Sequence, residues 1–420
     1  MADVKKDTNL RWNFAMGLLH GIFFNGGMAF SNPTTILPVF LNAFTHSKTI
    51  VGLFSSVMNS GSILPQLFVA NRLENKVHKK PVLVMAITVR ALCWGSLGLI
   101  TYLFGRSHPL IIVTSLFFLL TLFSFMGGIA VVPFTDIWGK AIPSTLRGRF
   151  FGHRQLWGGA LAIGAGFIVK YILGNKNLPF PNNYAFLFLF SFILISISYL
   201  ALGSVKEPIE EVHKARLTFK NFLKKAFRTL KLDRNYRVFL IVQVLTGANW
   251  LILPFYVLYA KDVIGVEEKM IGMFISAQML GSILSNILWA YLSDYVGNKK
   301  VIQISTFLTL LIPIVALLIT RQLSELFIVL FVLIGFSMAG GVIGYTNFLL
   351  DIALPKDRPT YISLNGTLTA PIMVFPLIGG IIIQYTSYKF MLIVTITTIL
   401  IGLILSLWLR EPRKYIIREN

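Results

Sequence analysis

The sequence predicts an all-α membrane protein with twelve transmembrane helices in two pseudo-symmetric six-helix bundles. Three observations lead there. Of 420 residues, 55% are hydrophobic and only 13% charged, which is more apolar surface than one soluble core can hide. Twelve apolar stretches reach or approach the roughly 20 residues that a helix needs to cross the hydrocarbon core. Lys and Arg are concentrated in alternate connections between them, as the positive-inside rule requires.

In chain order the stretches run from about Trp12 to Asn42, Thr49 to Asn71, Pro81 to Phe104, Pro109 to Thr135, Phe150 to Gly174 and Tyr184 to Val205. The second six run from about Val238 to Ala260, Met270 to Ser293, Val301 to Thr320, Leu326 to Leu350, Thr360 to Ser387 and Phe390 to Leu409. The first is too long for a signal-peptide core and no small-residue cleavage pattern follows it, so it is expected to remain as a helix.

The formal net charge is +21, which in a soluble domain would point to nucleic acid. Here the cations lie between apolar stretches and form no nucleic-acid patch. One set of loops holds only Lys48, Arg106, Lys176, Lys261, Lys269, Arg321 and Lys389, and Arg90 and Lys170 fall inside helices. The remaining basic residues sit on the other side, so both termini are expected to be cytoplasmic in a multi-pass protein of the inner membrane, facing its anionic headgroups.

The only long polar connection, 206–237, divides the chain into bundles at 1–205 and 238–420. Within it Phe219, Phe222, Leu223, Ala226, Phe227 and Leu230 alternate at helical spacing with Lys220, Lys224, Lys225, Arg228 and Lys231. That pattern predicts an amphipathic helix at the headgroup layer. The single cysteine, Cys93, excludes an intrachain disulfide, and no motif calls for a metal or another cofactor.

The two halves repeat. Shifted by 220 positions, Gly52, Phe54, Ser56, Gly61, Ser62, Ile63 and Leu64 fall on Gly272, Phe274, Ser276, Gly281, Ser282, Ile283 and Leu284. Small residues four apart at Gly52, Ser56 and Ser60, and at Gly272 and Ser276, allow close helix approach and are expected to join the halves. The register continues into the next loop, where Ala70, Glu74, Lys79 and Lys80 meet Ala290, Asp294, Lys299 and Lys300. The run from Ala290 to Lys300, with Asp294, Gly297 and the basic pair, resembles the loop signature of the major facilitator superfamily. The first copy departs from it, with Val77 where glycine is expected and Glu74 in place of Asp.

The resemblance implies the major facilitator fold, no enzyme activity, and a secondary transporter that moves a small organic solute by alternating access, as a monomer. A polar or sugar-like metabolite is favoured. Such carriers hold substrate near the midplane, where the first, fourth, seventh and tenth helices line the cavity. The amides and the aromatic expected there are Asn25, Asn32, Asn59, Gln243, Asn249, Trp250 and Gln278, because an amide in lipid must find a partner or a wet cavity. The resemblance also implies a gate at the loop carboxylates: Asp294 near Arg147 and Arg149, Glu74 near Arg358, with Asp136 at an inner helix end. His20 and Arg90 are the ionisable residues read as deep, in coupling or structural roles, and Arg90 is expected to pair with Asp136. Rival readings are an exporter of hydrophobic drugs or lipids, favoured by the many Phe residues, and a transport-like sensor. A primary pump is set aside because the chain has no phosphate-binding loop.

Overall fold

The computed structural model describes residues 9–63, 65–66, 78–208, 228–353 and 357–413. Glu74 and most of the linker's predicted amphipathic stripe lie outside the described residues. Every regular element among the described residues is helical. Among the described residues ten helices are long and apolar enough to cross a membrane, so the protein is multi-pass. Its outer surface is apolar: Leu110, Leu200 and Ile287 are 78%, 75% and 79% exposed, as side chains solvated by lipid would be.

The helices, numbered in chain order, are α1 (Leu10–Phe30), α2 (Ile36–Thr45), α3 (Lys48–Gly61), α4 (Lys80–Phe104), α5 (Pro109–Ala141), α6 (Ser144–Gly174) and α7 (Asn182–Gly203). They continue as α8 (Arg234–Ile264), α9 (Met270–Tyr295), α10 (Asn298–Leu318), α11 (Arg321–Ile352), α12 (Thr360–Tyr385) and α13 (Tyr388–Ser406). Local chemistry sets several of the ends. Pro81 and Pro109 fall in the first turns of α4 and α5, where a missing N–H costs nothing. Asp233 and Ser387 cap α8 and α13 by accepting from the N–H groups of Tyr236 and Phe390.

The first predicted span is not one helix. It breaks after Phe30, where the Asn32 side-chain oxygen accepts from Thr34 N (2.9 Å), Thr34 Oγ1 (2.8 Å) and Thr35 N (3.2 Å). Pro33 next to this turn leaves α2 as a separate short helix.

The chain forms two compact units. One contains the described residues of Met1–His46, Val57–His213 and Glu268–Ser276; the other those of Ser47–Ser56, Lys214–Glu267 and Ala277–Asn420. In the first, α1 packs on α6 and α7, and α4 packs on α5 and α7. In the second, α8 packs on α12 and α13, and α10 packs on α11 and α13. This is the same scheme, so the duplication read from sequence extends to the packing.

The small residues of the repeat are where backbones meet. A Cβ on Gly272 would lie 2.2 Å from the Gly166 carbonyl, and one on Gly52 would lie 2.3 Å from that of Pro376. Ser276 Oγ donates to Ile163 O (2.8 Å), and Ser56 Oγ accepts from Leu377 N (3.0 Å). At the start of α3, Lys48 Nζ binds Asp262 (2.7 Å), which also accepts from Tyr388 OH (2.8 Å).

Candidate functional site

In the second unit α8 is interrupted. Gly247 and Ala248 leave the α-helical pattern, Leu253–Phe255 is a 3-10 turn at Pro254, and α12 has a matching 3-10 stretch over Ala370–Val374 around Pro371. Broken helices at membrane depth are tolerated where they line a cavity. Here they border one of about 360 Å³. Its wall includes Gln243, Thr246, Asn249 and Trp250 from α8, and Ser305, Thr306 and Thr309 from α10. α11 adds Ser337, Met338, Tyr345 and Thr346, and α12 adds Ile372. Gly247 adjoins Ile372, whose side-chain tip would have to shift to admit a Cβ there, at 2.7 Å.

The lining has hydroxyls and amides but no ionised group. The Thr246 and Tyr345 hydroxyls bond each other at 2.5 Å. By contrast, Gln243 Oε1 and Asn249 Oδ1 are buried with no hydrogen-bond partner among the described residues. Behind the wall, Gln278 Nε2 makes a 3.8 Å contact with Met338 Sδ, and Gln278 Oε1 also lacks a partner. A buried acceptor left unsatisfied costs about 1–3 kcal/mol, so these oxygens mark where the cavity takes a donor.

The structure thus brings Gln243, Asn249 and Trp250 together, with Gln278 adjoining. It uses Asn32 otherwise, as the turn cap described above. Asn25 lies against Gly158, where a Cβ would come within 2.4 Å of its Nδ2, and Asn59 is half-buried near the end of α3. Ser305, Thr306 and Thr309 went unforeseen, because hydroxyls on membrane helices routinely bond the preceding turn, as Thr309 does to Ser305 O (2.8 Å), and so give no sequence signal.

The first unit holds the deep ionisable residues. His20 sits at the midpoint of α1. Its Nδ1 is 2.6 Å from Ser198 Oγ, which itself donates to His20 O (2.8 Å). The hydroxyl proton is thereby used, so Nδ1–H is the donor of the shorter bond. Arg90, near the midpoint of α4, lies over Phe123 (4.1 Å), Phe24 (5.8 Å) and Tyr199 (5.9 Å).

The expected Arg90–Asp136 pair is not formed. Asp136 binds Lys79 (2.7 Å) and Lys140 (2.8 Å) instead. The reason is depth: Arg90 is about 15 Å into its helix while Asp136 is only about 7 Å from the end of its own, at 1.5 Å per residue. The sequence reading also missed Arg154. The fifth span was expected to start near Phe150, but α6 begins at Ser144, which places Arg154 ten residues inside. Its guanidinium faces Phe150 (5.3 Å), Phe134 (5.5 Å), Phe151 (5.7 Å) and Trp138 (5.8 Å). Each ring face returns about 0.5–2 kcal/mol, against roughly 3 kcal/mol or more for a cation at mid-membrane.

Of the expected gate residues, Arg147 donates from Nε to Ile142 O (3.0 Å) and from Nη2 to Gly139 O (2.5 Å), closing the end of α5. Arg149 and Asp294 are exposed. A duplicated clamp that the sequence reading passed over lies nearby. Lys206-Glu207-Pro208 and Arg410-Glu411-Pro412 are the same motif at the end of each half. Glu207 accepts from Lys79 N (2.8 Å) and Lys80 N (3.1 Å), and Glu411 from Lys299 N (2.8 Å). Asn13 and Lys206 exchange two 2.9 Å bonds, as do Asn235 and Arg410. The two carboxylates thus cap the N-termini of α4 and α10. In the second half Arg413 adds bonds to Asp351 (2.9 Å) and to Ser293 O (2.8 Å).

Long apolar helices, the repeated packing scheme and a polar cavity at broken spans describe a multi-pass membrane protein with a solute-sized cavity. Residues 238–420 match the Major Facilitator Superfamily model. Solved structures share the fold over nearly the whole chain. A variant of the nucleoside transporter NupG is 15% identical, with 96% of this chain and 99% of that chain covered and a TM-score of 0.72. A bacterial homologue of the iron transporter ferroportin in its inward-facing state gives 15%, 96%, 99% and 0.73. A D-xylose-proton symporter gives 13%, 96%, 99% and 0.69. No curated protein matches in sequence.

Proposed function

We propose that the protein is a secondary transporter that carries a small polar organic solute across the cytoplasmic membrane by alternating access, using the cavity of α8, α10, α11 and α12 to bind hydroxyl or amide groups of the solute. The observation that carries this reading is the pair of unpartnered amide oxygens, Gln243 Oε1 and Asn249 Oδ1, in a cavity bordered by Trp250. A polyhydroxylated ring supplies the missing donors on its edge and an apolar face for the indole. Similar proteins include carriers of nucleosides and D-xylose, solutes of that kind. A drug exporter is the rival reading, and the seven hydroxyl side chains and two amides of the lining count against it.

In this reading 1–205 and 238–420 act as the two moving bundles, joined by 206–237. Both termini are cytoplasmic, the basic loops face anionic headgroups, and the monomer is the working unit. Asp136, Glu74 and Asp294, with Arg147 and Arg149, hold or release the cytoplasmic side. His20, with Nδ1–H committed to Ser198, serves structure before proton relay.

The test is a counterflow screen in proteoliposomes across nucleosides, sugars, amino acids, organic anions and dyes. A hydroxyl-bearing solute should exchange, and Asn249→Leu should weaken its binding about 10-fold. Exchange of hydrophobic dyes alone would overturn the reading.

A further inference from the structure

One helix junction recurs in both units and is filled differently in each. Asn13 with Lys206, and Asn235 with Arg410, make the same reciprocal pair of bonds. The residues beside them therefore correspond, Trp12 to Arg234 and Ser204 to Trp408. In the first unit the Trp12 indole spans the junction of α1 and α7, with Nε1 donating to Ser204 O (3.0 Å). In the second unit the large ring has moved to the other side of the junction, and an arginine stands where the indole was. The junction of α8 and α13 there borders a cavity of about 670 Å³, with Leu232, Arg234, Asn235, Val238, Trp408 and Arg410 in its wall.

The two guanidiniums of this wall are exposed, and among the described residues neither is in an ion pair. Asp233, which also lines the cavity, has both oxygens engaged: Oδ1 accepts from Tyr236 N (2.8 Å) and Oδ2 from Tyr361 OH (2.7 Å). The Asn235 amide is likewise used up on the Arg410 backbone. Free N–H donors thus come from Arg234 and Arg410 alone. The rest of the wall is apolar and faces outward, with Leu232 and Trp408 69% and 64% exposed. One turn further along the same faces, Ile241 on α8 and Ile404 on α13 are exposed too. A cationic mouth therefore opens onto an apolar track, with a tryptophan at the boundary between them, as at a membrane interface.

We infer that the α8–α13 junction binds one anionic phospholipid, with its phosphate between Arg234 and Arg410 and an acyl chain along Val238, Ile241, Trp408 and Ile404. Guanidinium forks match phosphate oxygens, and basic pockets between membrane helices hold anionic headgroups. The acyl track is what favours a lipid over a soluble phosphate. The site is separate from the hydroxyl-lined cavity and independent of the transport reading; only the name of the leaflet, the inner one, rests on the proposed topology.

The experiment is thermal unfolding of the full chain in detergent micelles doped with phosphatidylglycerol, against phosphatidylcholine and against soluble glycerol 3-phosphate at matched ionic strength. Near 100-fold over Kd, phosphatidylglycerol should raise the Tm by roughly 3 °C, and the other two should not. Arg234→Gln and Arg410→Gln should each weaken binding about 10- to 100-fold. Lys300→Gln, which removes an exposed cation at the start of α10, should leave the shift intact. Rebuilding the first unit's arrangement with Arg234→Trp and Trp408→Ser together should remove the shift while the Tm without lipid stays within about 1 °C.

No shift beyond that of phosphatidylcholine overturns the site, as does an equal shift in the two arginine variants. An equal loss in Lys300→Gln would reduce the effect to general attraction of anionic lipid and overturn it also. Protection by glycerol 3-phosphate as large as that by phosphatidylglycerol would assign the guanidiniums to a soluble phosphate and overturn the lipid. Failure of every solute to exchange in counterflow would sink the transport reading and leave this site standing.

Discussion

Replacing Asn249 by Leu separates a binding cavity from a merely polar core. Asn249 is 7% exposed and, among the described residues, its Oδ1 has no partner, so its acceptor must be met from the cavity or cost about 1–3 kcal/mol. Leu removes the cost, and its added methyl groups face a cavity of about 360 Å³, so no overpacking opposes the gain. The unliganded variant should therefore be as stable as the parent or more so, by up to about 2 kcal/mol. Solute binding should weaken about 10-fold for one lost hydrogen bond of roughly 1.4 kcal/mol, and more if the amide also donates. Thermal melts read the first number and counterflow the second. A structural amide would give the opposite signs: a fall of several degrees in Tm with flux unchanged would refute the argument that unpaired oxygens mark the solute site.

Other outcomes follow from the packing and the clamps. Asp136→Asn leaves Lys79 and Lys140, each 13% exposed, without their shared anion, and should cost about 1–3 kcal/mol. A double-mutant cycle with Lys79→Met in thermal stability should show coupling, whereas additivity would reject the pairing. Glu411→Ala should accelerate amide exchange at Lys299 about five-fold for a cap worth about 1 kcal/mol, and Glu207→Ala should do the same at Lys79 and Lys80, with exchange elsewhere in each half unchanged. Gly335→Ala, whose Cβ would fall 1.9 Å from Gln278 O, should destabilise by about 1–3 kcal/mol. Gly164→Ala meets nothing within 4 Å and should stabilise α6 by up to about 1 kcal/mol; equal effects at the two glycines would contradict the backbone contact at Gly335.

The membrane fold was readable because hydropathy and basic loops are long-range, additive signals. The 220-residue repeat survived because backbone contact at Gly272 and Gly52 admits no side chain. Depth was harder to read. The first stretch, Trp12–Asn42, was longer than a single crossing needs, and Pro33 with the Asn32 cap divides it. Ten described helices meet the length and apolarity of a span; α1 and α3 are not among them, α3 having only 14 residues. Misplacing the start of α6 by six residues hid Arg154, because a cation near a helix end reads as a loop residue. Of the cavity, α8 was legible through its amides, which are rare in lipid and therefore informative. The hydroxyls of α10 were not, because Ser and Thr can satisfy themselves on their own helix. The two Glu-Pro clamps were visible in the letters all along, but three residues repeated 204 positions apart acquire meaning only when Lys79, Lys80 and Lys299 are seen to need acceptors.

That duplicated clamp makes the segment after α13 part of the folded body. Glu411 and Arg413 hold the start of α10 and the end of α11 from outside the last apolar run. A protease nick just beyond Leu409 would leave every hydrophobic crossing intact and still loosen two helix ends at once. Fusions and cleavage sites placed downstream of Arg413 avoid this, and those placed upstream should yield protein that inserts normally yet melts early.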